Sequence, residues 1–301
     1  MRRAARTEGR GIALVIVLWL LAALSLLAGA FAVNARTEAT VAINAYAAAR
    51  ARALADGGIA YGIARLLARA EVPAEAWQVD GVAYPVAVAG ATVEVSLAQE
   101  TGKFDVNVIA DDILANLLVG AGVAPADVDG ILAALADYRD ADDAVRLGGA
   151  EAAEYQALGL PYGPKNRLLE SIDELAMIPG VTTAVFRAVR PALTVHTGLP
   201  RIDPATSPRE ALLAVPEVTP AEVDGLLAVR RENQYSETKQ AFPALGGGEE
   251  WLAPADAPVF TVRARAVVPG GAVFVREAVV WTPPDGDDPY WLLDWTRGGG
   301  S

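Results

Sequence analysis

The longest apolar stretch of the chain lies close to its N-terminus. Residues 12–35 contain no charged side chain. As a helix, this segment is long enough to cross a hydrocarbon core of about 30 Å. Helical periodicity then continues toward Pro73, with spacings of four and three residues. The pattern predicts one helix over 12–72, membrane-spanning at 12–35 and amphipathic at 36–72. Its packing row is Ala42, Tyr46, Ala49, Ala53, Asp56, Ala60, Ile63 and Leu67.

The charges beside this segment are asymmetric. Residues 1–11 carry four arginines against Glu8, whereas the chain as a whole has a net charge of −12. Arginines before a spanning helix predict an N-terminus in the cytoplasm and the bulk of the chain outside it. Three interpretations remain open for the segment: a plain membrane anchor, a secretory signal cleaved after Ala30-Phe31-Ala32, or a short basic leader cleaved after Gly11, before Ile12.

Alternation of apolar and polar residues predicts strands in two separate parts of the chain. The expected strands are 82–88, 92–97, 259–267, 272–281 and 290–295. We expect the aromatic residues Trp281, Tyr290, Trp291 and Trp295 to pack the last strands on the long helix. The predicted fold class is α+β, a long N-terminal helix packed on a small antiparallel sheet.

The region between the two groups of strands has helical spacing and an internal repeat. Residues 123–133 match residues 218–228, and Ile178-Pro179-Gly180-Val181 is related to both. Each copy predicts a helix, a tight turn and a second helix, an arrangement typical of helix-hairpin-helix modules that bind DNA. A membrane-anchored DNA-uptake protein is therefore the alternative function. Residues 106–137 contain no lysine or arginine, so nucleic acid is an unfavourable partner.

Composition excludes much familiar chemistry. The chain has no cysteine and a single histidine, His196, which removes thiolate metal sites, cysteine nucleophiles and most histidine-based metal sites. No nucleotide-binding glycine motif or serine-nucleophile motif is present. The sequence therefore predicts a protein that is not an enzyme.

Several short motifs, taken together and in order, resemble one known family over nearly the whole chain. The family is the type II secretion minor pseudopilin K, or general secretion pathway protein K. The motifs are Arg10-Gly11 before Ile12, residues 51–67, residues 102–107, residues 137–143, residues 149–151, Tyr155, Pro161-Tyr162, Asn166 and residues 171–175.

The resemblance implies a pilin-like domain into which a large all-helical domain is inserted. The expected domains are a prepilin leader (1–11), the N-terminal helix (12–72), first strands (73–103), the inserted helical domain (104–246) and closing strands with a flexible tail (247–301). It also implies processing by prepilin peptidase between Gly11 and Ile12, and assembly with other minor pseudopilins. The expected location is the bacterial inner membrane, with one pass and a periplasmic bulk.

The fifth residue after the expected cleavage is Ile16. Most pilins and pseudopilins carry glutamate there, and its proposed partner is the N-terminal amine of the neighbouring subunit, because a carboxylate in the bilayer needs a counter-charge. The resemblance implies that a protein without this glutamate lies at the pseudopilus tip, where no subunit precedes it.

An acidic segment lies in the inserted region. Asp140, Asp142 and Glu151 occupy positions 1, 3 and 12 of an EF-hand-like count, but Val145 stands where that loop requires glycine. The segment is therefore not an EF-hand. The resemblance implies calcium in the helical domain, and the candidate ligands are Asp140, Asp142, Asp143 and Glu151.

Overall fold

The structure is a computed structural model that describes residues 9–69, 77–232, 245, 250–255, 257–284 and 288–298. The helices are α1 (Gly9–Leu67), α2 (Asp111–Gly120), α3 (Pro125–Arg139), α4 (Ala152–Ala157), α5 (Thr183–Val189), α6 (Arg209–Ala214) and α7 (Pro220–Glu232). The strands are β1 (Asp80–Val88), β2 (Ala91–Gln99), β3 (Phe104–Asp105), β4 (Leu193–Thr194), β5 (Val259–Val267), β6 (Val273–Trp281) and β7 (Trp291–Arg297).

Five strands form one antiparallel sheet in the order β1-β2-β5-β6-β7. Strands β2 and β5 are hydrogen-bonded neighbours, from Val93 opposite Ala266 to Gln99 opposite Phe260. The chain therefore leaves the sheet after β2 and returns beside it at β5. The predicted α+β class, with a long N-terminal helix, an antiparallel sheet and helical segments between its strands, is confirmed.

Helix α1 ends earlier than predicted and buries a different face. It is helical from the first described residue, Gly9, passes through Gly11 without a break and ends at Leu67, and Pro73 lies outside the described residues. Its buried side chains are Ala51, Leu54, Ala55, Ile59, Ile63 and Leu66. Of the predicted packing row only Ile63 is among these buried residues, so the row as a whole was wrong; Tyr46, for example, is 70% exposed.

Glycines explain the shift of the buried face. A Cβ at Gly62 would lie 2.5 Å from Cγ1 of Val262, and a Cβ at Gly58 would lie 2.8 Å from Cβ of Ala264. The helix therefore approaches the sheet closely at Gly58 and Gly62. The predicted row missed both because it was chosen mainly from residues with apolar side chains. Gly57-Gly58 does not break the helix, which is continuous through them.

We expect Gly62→Val to lower the free energy of unfolding by about 1–3 kcal/mol, because the added atoms overpack the interface between α1 and β5. Chemical denaturation of the purified chain measures the loss. The matched control is Gly29→Val, because Gly29 lies in the same helix with open space at its Cβ. Equal stability of the two variants would contradict the close approach.

The inserted region is built on paired helices. Helices α2–α3 and α6–α7 are the two copies of the repeat, and the second helix of each begins with a proline, Pro125 or Pro220. The pairs pack on each other through α2 and α6, where Nδ2 of Asn116 donates to the carbonyl of Ala214 at 2.9 Å. The region is not all-helical, since β3 and β4 form a short parallel pair.

Ionic contacts connect the helical region to the outer face of the sheet. Nη2 of Arg190 lies 2.9 Å from Oε2 of Glu277 on β6, and Glu277 also contacts Arg263 on β5. Glu100, which is buried, accepts hydrogen bonds from Lys103 and from Thr261 on β5. Burial alone would raise the pKa of Glu100, but the Lys103 ammonium and these hydrogen bonds hold it below its ordinary value.

The aromatic residues near the C-terminus do not pack on α1 as predicted. Trp281, Tyr290, Trp291 and Trp295 are all more than a third exposed. Helix α1 packs across β1, β2, β5 and β6, whereas these residues lie at the far edge of the sheet, at the end of β6 and in or just before β7.

Candidate assembly and metal sites

The N-terminal half of α1 forms an exposed apolar surface. Ile12 and Ile16 are each more than half exposed, and large apolar residues up to Tyr46 are likewise exposed. Within Ile12–Leu67 the helix is long and apolar enough to cross a membrane, a test that an N-terminal signal sequence also passes. The predicted processing residues Gly11 and Ile12 lie within this helix.

Asp56, in the C-terminal half of α1, has a specific partner on the sheet. Oδ1 of Asp56 lies 2.7 Å from Nε of Arg276 on β6, and Arg276 is only 6% exposed. The Arg276 guanidinium also lies over the rings of Phe274 and Trp295, at 5.0 and 5.1 Å from their centres. This ion pair fixes the position of α1 against β6. The sequence placed Asp56 in the packing row of the helix but did not indicate that Arg276 is its partner.

The predicted acidic residues lie between α3 and α4, around one arginine. Arg146 donates to Oδ1 of Asp137 at 2.8 Å and also to Asp140. Its backbone N–H donates to Oδ2 of Asp137. A Cβ at Gly149 would lie 2.0 Å from Oδ2 of Asp137, so glycine permits the chain to pass over this buried carboxylate.

The other acidic residues are held by backbone and amide groups. Oδ1 of Asp142 accepts from the N–H of Ala144 at 2.9 Å. Oδ1 of Asp143 accepts from Nδ2 of Asn166 at 2.9 Å. Asn166 is at φ 53°, a left-handed conformation that asparagine tolerates better than most residues, and it brings a second loop against the acidic segment.

Glu151 is the least compensated of the predicted ligands. It is 5% exposed, and apart from a capping contact with the backbone N–H of Glu154 at the start of α4, its carboxylate oxygens have no hydrogen-bond partner among the described residues. Burial, followed by the charges of Asp137, Asp140 and the two further aspartates of the segment, raises the pKa of Glu151. An ionised Glu151 therefore destabilises this loop unless a cation is present.

The structure places all four predicted ligands in one segment, but it does not form a ready metal cage. Among the described residues no three acidic or histidine side chains converge to hold an ion. Unpartnered buried oxygens are nevertheless present on Asp140, Glu151 and Asn166, and hard oxygen donors are the ligands that calcium takes. The residues therefore fit a calcium ion by donor type. Asn166 was missed as a candidate ligand; it was noted only as a motif residue.

Comparison with known proteins shows what the helical region is similar to. Residues 95–198 match the family model described as type II secretion system protein K. A curated Escherichia coli K12 protein, whose name assigns it to type II secretion as protein K, is 33% identical over 119 residues. Residues 95–198 are therefore similar to the protein K family. That alignment covers 35% of this chain and 36% of the relative.

A comparison of folds extends the similarity beyond residues 95–198. A chain in the crystal structure of the GspK–GspI–GspJ complex from enterotoxigenic E. coli superposes with a TM-score of 0.56. The superposition covers 89% of this chain and 100% of that one at 15% identity, so it shows a shared fold. The protein K match at residues 95–198 runs from β2 to just past β4, which includes the acidic segment.

Proposed function

We propose that this chain is a minor pseudopilin of a type II secretion system and lies at the tip of the pseudopilus. The observation that carries the proposal is the protein K region inserted between neighbouring strands of a sheet that packs on a long N-terminal helix. Such a protein acts by assembly, so its role is structural and no residue here is assigned to catalysis.

The exposed half of α1 supports assembly in a membrane. A helix that is apolar on all sides needs lipid or other helices around it, and residues 12–35 offer no charge of their own. We propose that prepilin peptidase cuts between Gly11 and Ile12 at the inner membrane. The acidic bulk of the chain then lies in the periplasm, and the other minor pseudopilins contact α1 and the pilin-like sheet.

Ile16 supports a place at the tip. With cleavage after Gly11 it is the fifth residue, and it supplies no carboxylate for the amine of a preceding subunit. A subunit that cannot make this pair is suited to the end of a filament and is poorly suited to its shaft.

Calcium is part of the same proposal. Asp140, Asp142, Asp143 and Glu151 are the proposed protein ligands, with the side-chain oxygen of Asn166 in addition. A bound calcium ion would supply positive charge to a segment in which Arg146 alone faces several carboxylates. The chain's own contribution is to hold these oxygens between α3 and α4.

The test is the number and place of this chain in assembled pseudopili. With a tagged full-length chain, we expect one copy per pseudopilus, at one end, together with the other minor pseudopilins. Ile16→Glu restores the carboxylate and is expected to admit the chain to the shaft, while Ile16→Leu is the matched control. Many copies of the unaltered chain along the shaft, or no association with pseudopilins, would contradict the proposal.

DNA uptake is the competing function, and the same preparation tests it. The turn between α2 and α3, at residues 121–124, carries no basic side chain, which gives phosphate no counter-charge there. We expect no retention of DNA at physiological salt. Salt-dependent retention would favour the competing function.

A further inference from the structure

Strand β7 carries an apolar surface at one edge of the sheet. Trp291, Leu292, Leu293 and Trp295 are each 41–54% exposed. These four residues, with Tyr290 and Trp281 beside them, are called here the β7 patch. Contiguous exposed apolar surface of this kind marks sites of association in soluble domains.

The β7 patch covers both faces of the strand. Leu292 and Trp295 lie opposite Val280 and Ala278, which belong to the core beneath α1, so they lie on the α1 side of the sheet. Trp291 lies opposite Trp281 on the other side. The pairing shifts between Val279 and Val280, where Leu293 is the extra residue. A helix laid on one face would therefore leave half of the patch exposed.

The two edges of the sheet differ in their protection. Natural sheets commonly block exposed edges with proline, lysine or a charged residue. Strand β1 at the opposite edge has Pro85 in its middle and an irregular pairing near its start. Strand β7 contains no proline. Its pairing is irregular at Leu293 and it carries Asp294 and Arg297, but its apolar residues are consecutive from Trp291 to Leu293. Among the described residues, β7 is therefore the less protected of the two edges.

Positive charge lies at one end of the patch. Arg297 ends β7, and Arg276 lies opposite it on β6. Arg276 is more than nine-tenths buried, and its Nη2 is buried without a hydrogen-bond partner among the described residues. Arg276 is bound to Asp56 at Nε and lies against the rings of Phe274 and Trp295. The exposed charge that a partner can reach at this end is therefore that of Arg297.

We propose that β7 accepts an extended segment of a partner chain as a sixth strand of the sheet. The segment has apolar side chains against Trp291, Leu293 and Trp295, and an acidic side chain near Arg297. Backbone hydrogen bonds supply affinity and the alternate side chains supply specificity, as in other cases of strand addition. The identity of the partner rests on the proposed function, under which a neighbouring minor pseudopilin supplies the segment.

A pair of edge variants tests this in the assembled complex. The full-length chain is co-produced with the other minor pseudopilins, solubilised in detergent and purified through a tag on this chain. Leu293→Lys places a charge in the open edge and is expected to reduce the retained partner at least tenfold. Val82→Lys places the same charge at the β1 edge, where Val82 is 50% exposed, and should retain the partner as the unaltered chain does.

A cross-link on an otherwise unaltered chain tests the contact without depending on the stability of a variant. A photo-crosslinking amino acid at position 293 is expected to label one partner segment at alternate residues, the periodicity of a strand. The same group at position 82 serves as control. Equal partner retention by both lysine variants, or labelling from position 293 without a single strand-like segment, overturns the proposal while the complex itself still supports the proposed function. Absence of any pseudopilin from the unaltered complex overturns both.

Discussion

Replacing Gly11 with leucine is expected to abolish maturation and leave residues 1–11 on the chain. Helix α1 runs through Gly11 into the apolar segment without a break, so a peptidase must unwind the helix locally to reach the bond before Ile12. Glycine favours unwinding by about 1 kcal/mol relative to alanine and adds no side chain beside the bond. Leucine favours the helix and introduces bulk at the residue before the cut.

Intact mass and N-terminal sequencing of the detergent-solubilised chain measure this outcome. The unaltered chain should begin at Ile12, and Gly11→Leu should retain its original N-terminus. Gly9→Leu is the matched control, because it alters a glycine two residues earlier without changing the residue before the cut. Ala32→Leu tests the competing secretory cleavage. A mature chain that begins at Val33, with processing lost in Ala32→Leu, would contradict the pseudopilin model.

The sheet and its interruption were largely predictable from local patterns. The strands expected at 259–267 and 272–281 differ from β5 and β6 by at most one residue, because period-two alternation and the turn at Pro269-Gly270-Gly271 act over short distances. The pairing of β2 with β5 needed the family resemblance, since no local signal joins residues separated by the entire helical region.

The contact between α1 and the sheet was less predictable. Hydrophobic counting selected a row that includes Tyr46, whereas the helix contacts the sheet through small residues such as Gly58 and Gly62. The exposed position of the tryptophans in β7 was also missed, because a large aromatic residue near a strand end is expected in a core. Which strands α1 covers depends on the order of the strands in the sheet, and the sequence of α1 alone does not contain that order.

In the acidic segment, contacts between residues close in sequence were predictable, and contacts with a distant loop were not. Asp140, Asp142, Asp143 and Glu151 are close in sequence, so their proximity in space was predictable. Asn166 is bonded to Asp143 only because a second loop returns at a left-handed residue. The sequence pointed to Asn166 only as one of the family motifs, and a motif does not show which residues it contacts.

Removing divalent cations is expected to destabilise the chain at neutral pH through Glu151. Its pKa is raised in the folded state, so the folded chain holds a proton there more tightly than the unfolded chain. The contribution of Glu151 to stability is therefore greatest at low pH, and it falls as pH rises from the unfolded pKa through the folded one. This loss should appear above about pH 4.3, the ordinary value for glutamate, and calcium should reverse it by pairing with the ionised carboxylate.

Thermal unfolding followed by tryptophan fluorescence measures the effect on the full-length chain in detergent. Calcium at about 100 times its dissociation constant contributes about 2.7 kcal/mol, which corresponds to a rise in Tm of about 5–10 °C for a region of this size. Magnesium should give a smaller rise, because it is reluctant to lose its bound water. An unchanged Tm with chelator and with calcium would exclude a structural ion.

The variant Glu151→Gln separates this carboxylate from general charge effects. It removes the buried negative charge, so we expect the chelator-treated variant to match or exceed the unaltered chain in Tm at pH 7, with most of the calcium-dependent rise lost. Asp129→Asn removes one charge from an exposed position on α3 and should keep the full rise. A full calcium response in Glu151→Gln would place the ion elsewhere. A loss of stability at pH 7 without calcium would show that the ionised Glu151 is compensated within the chain.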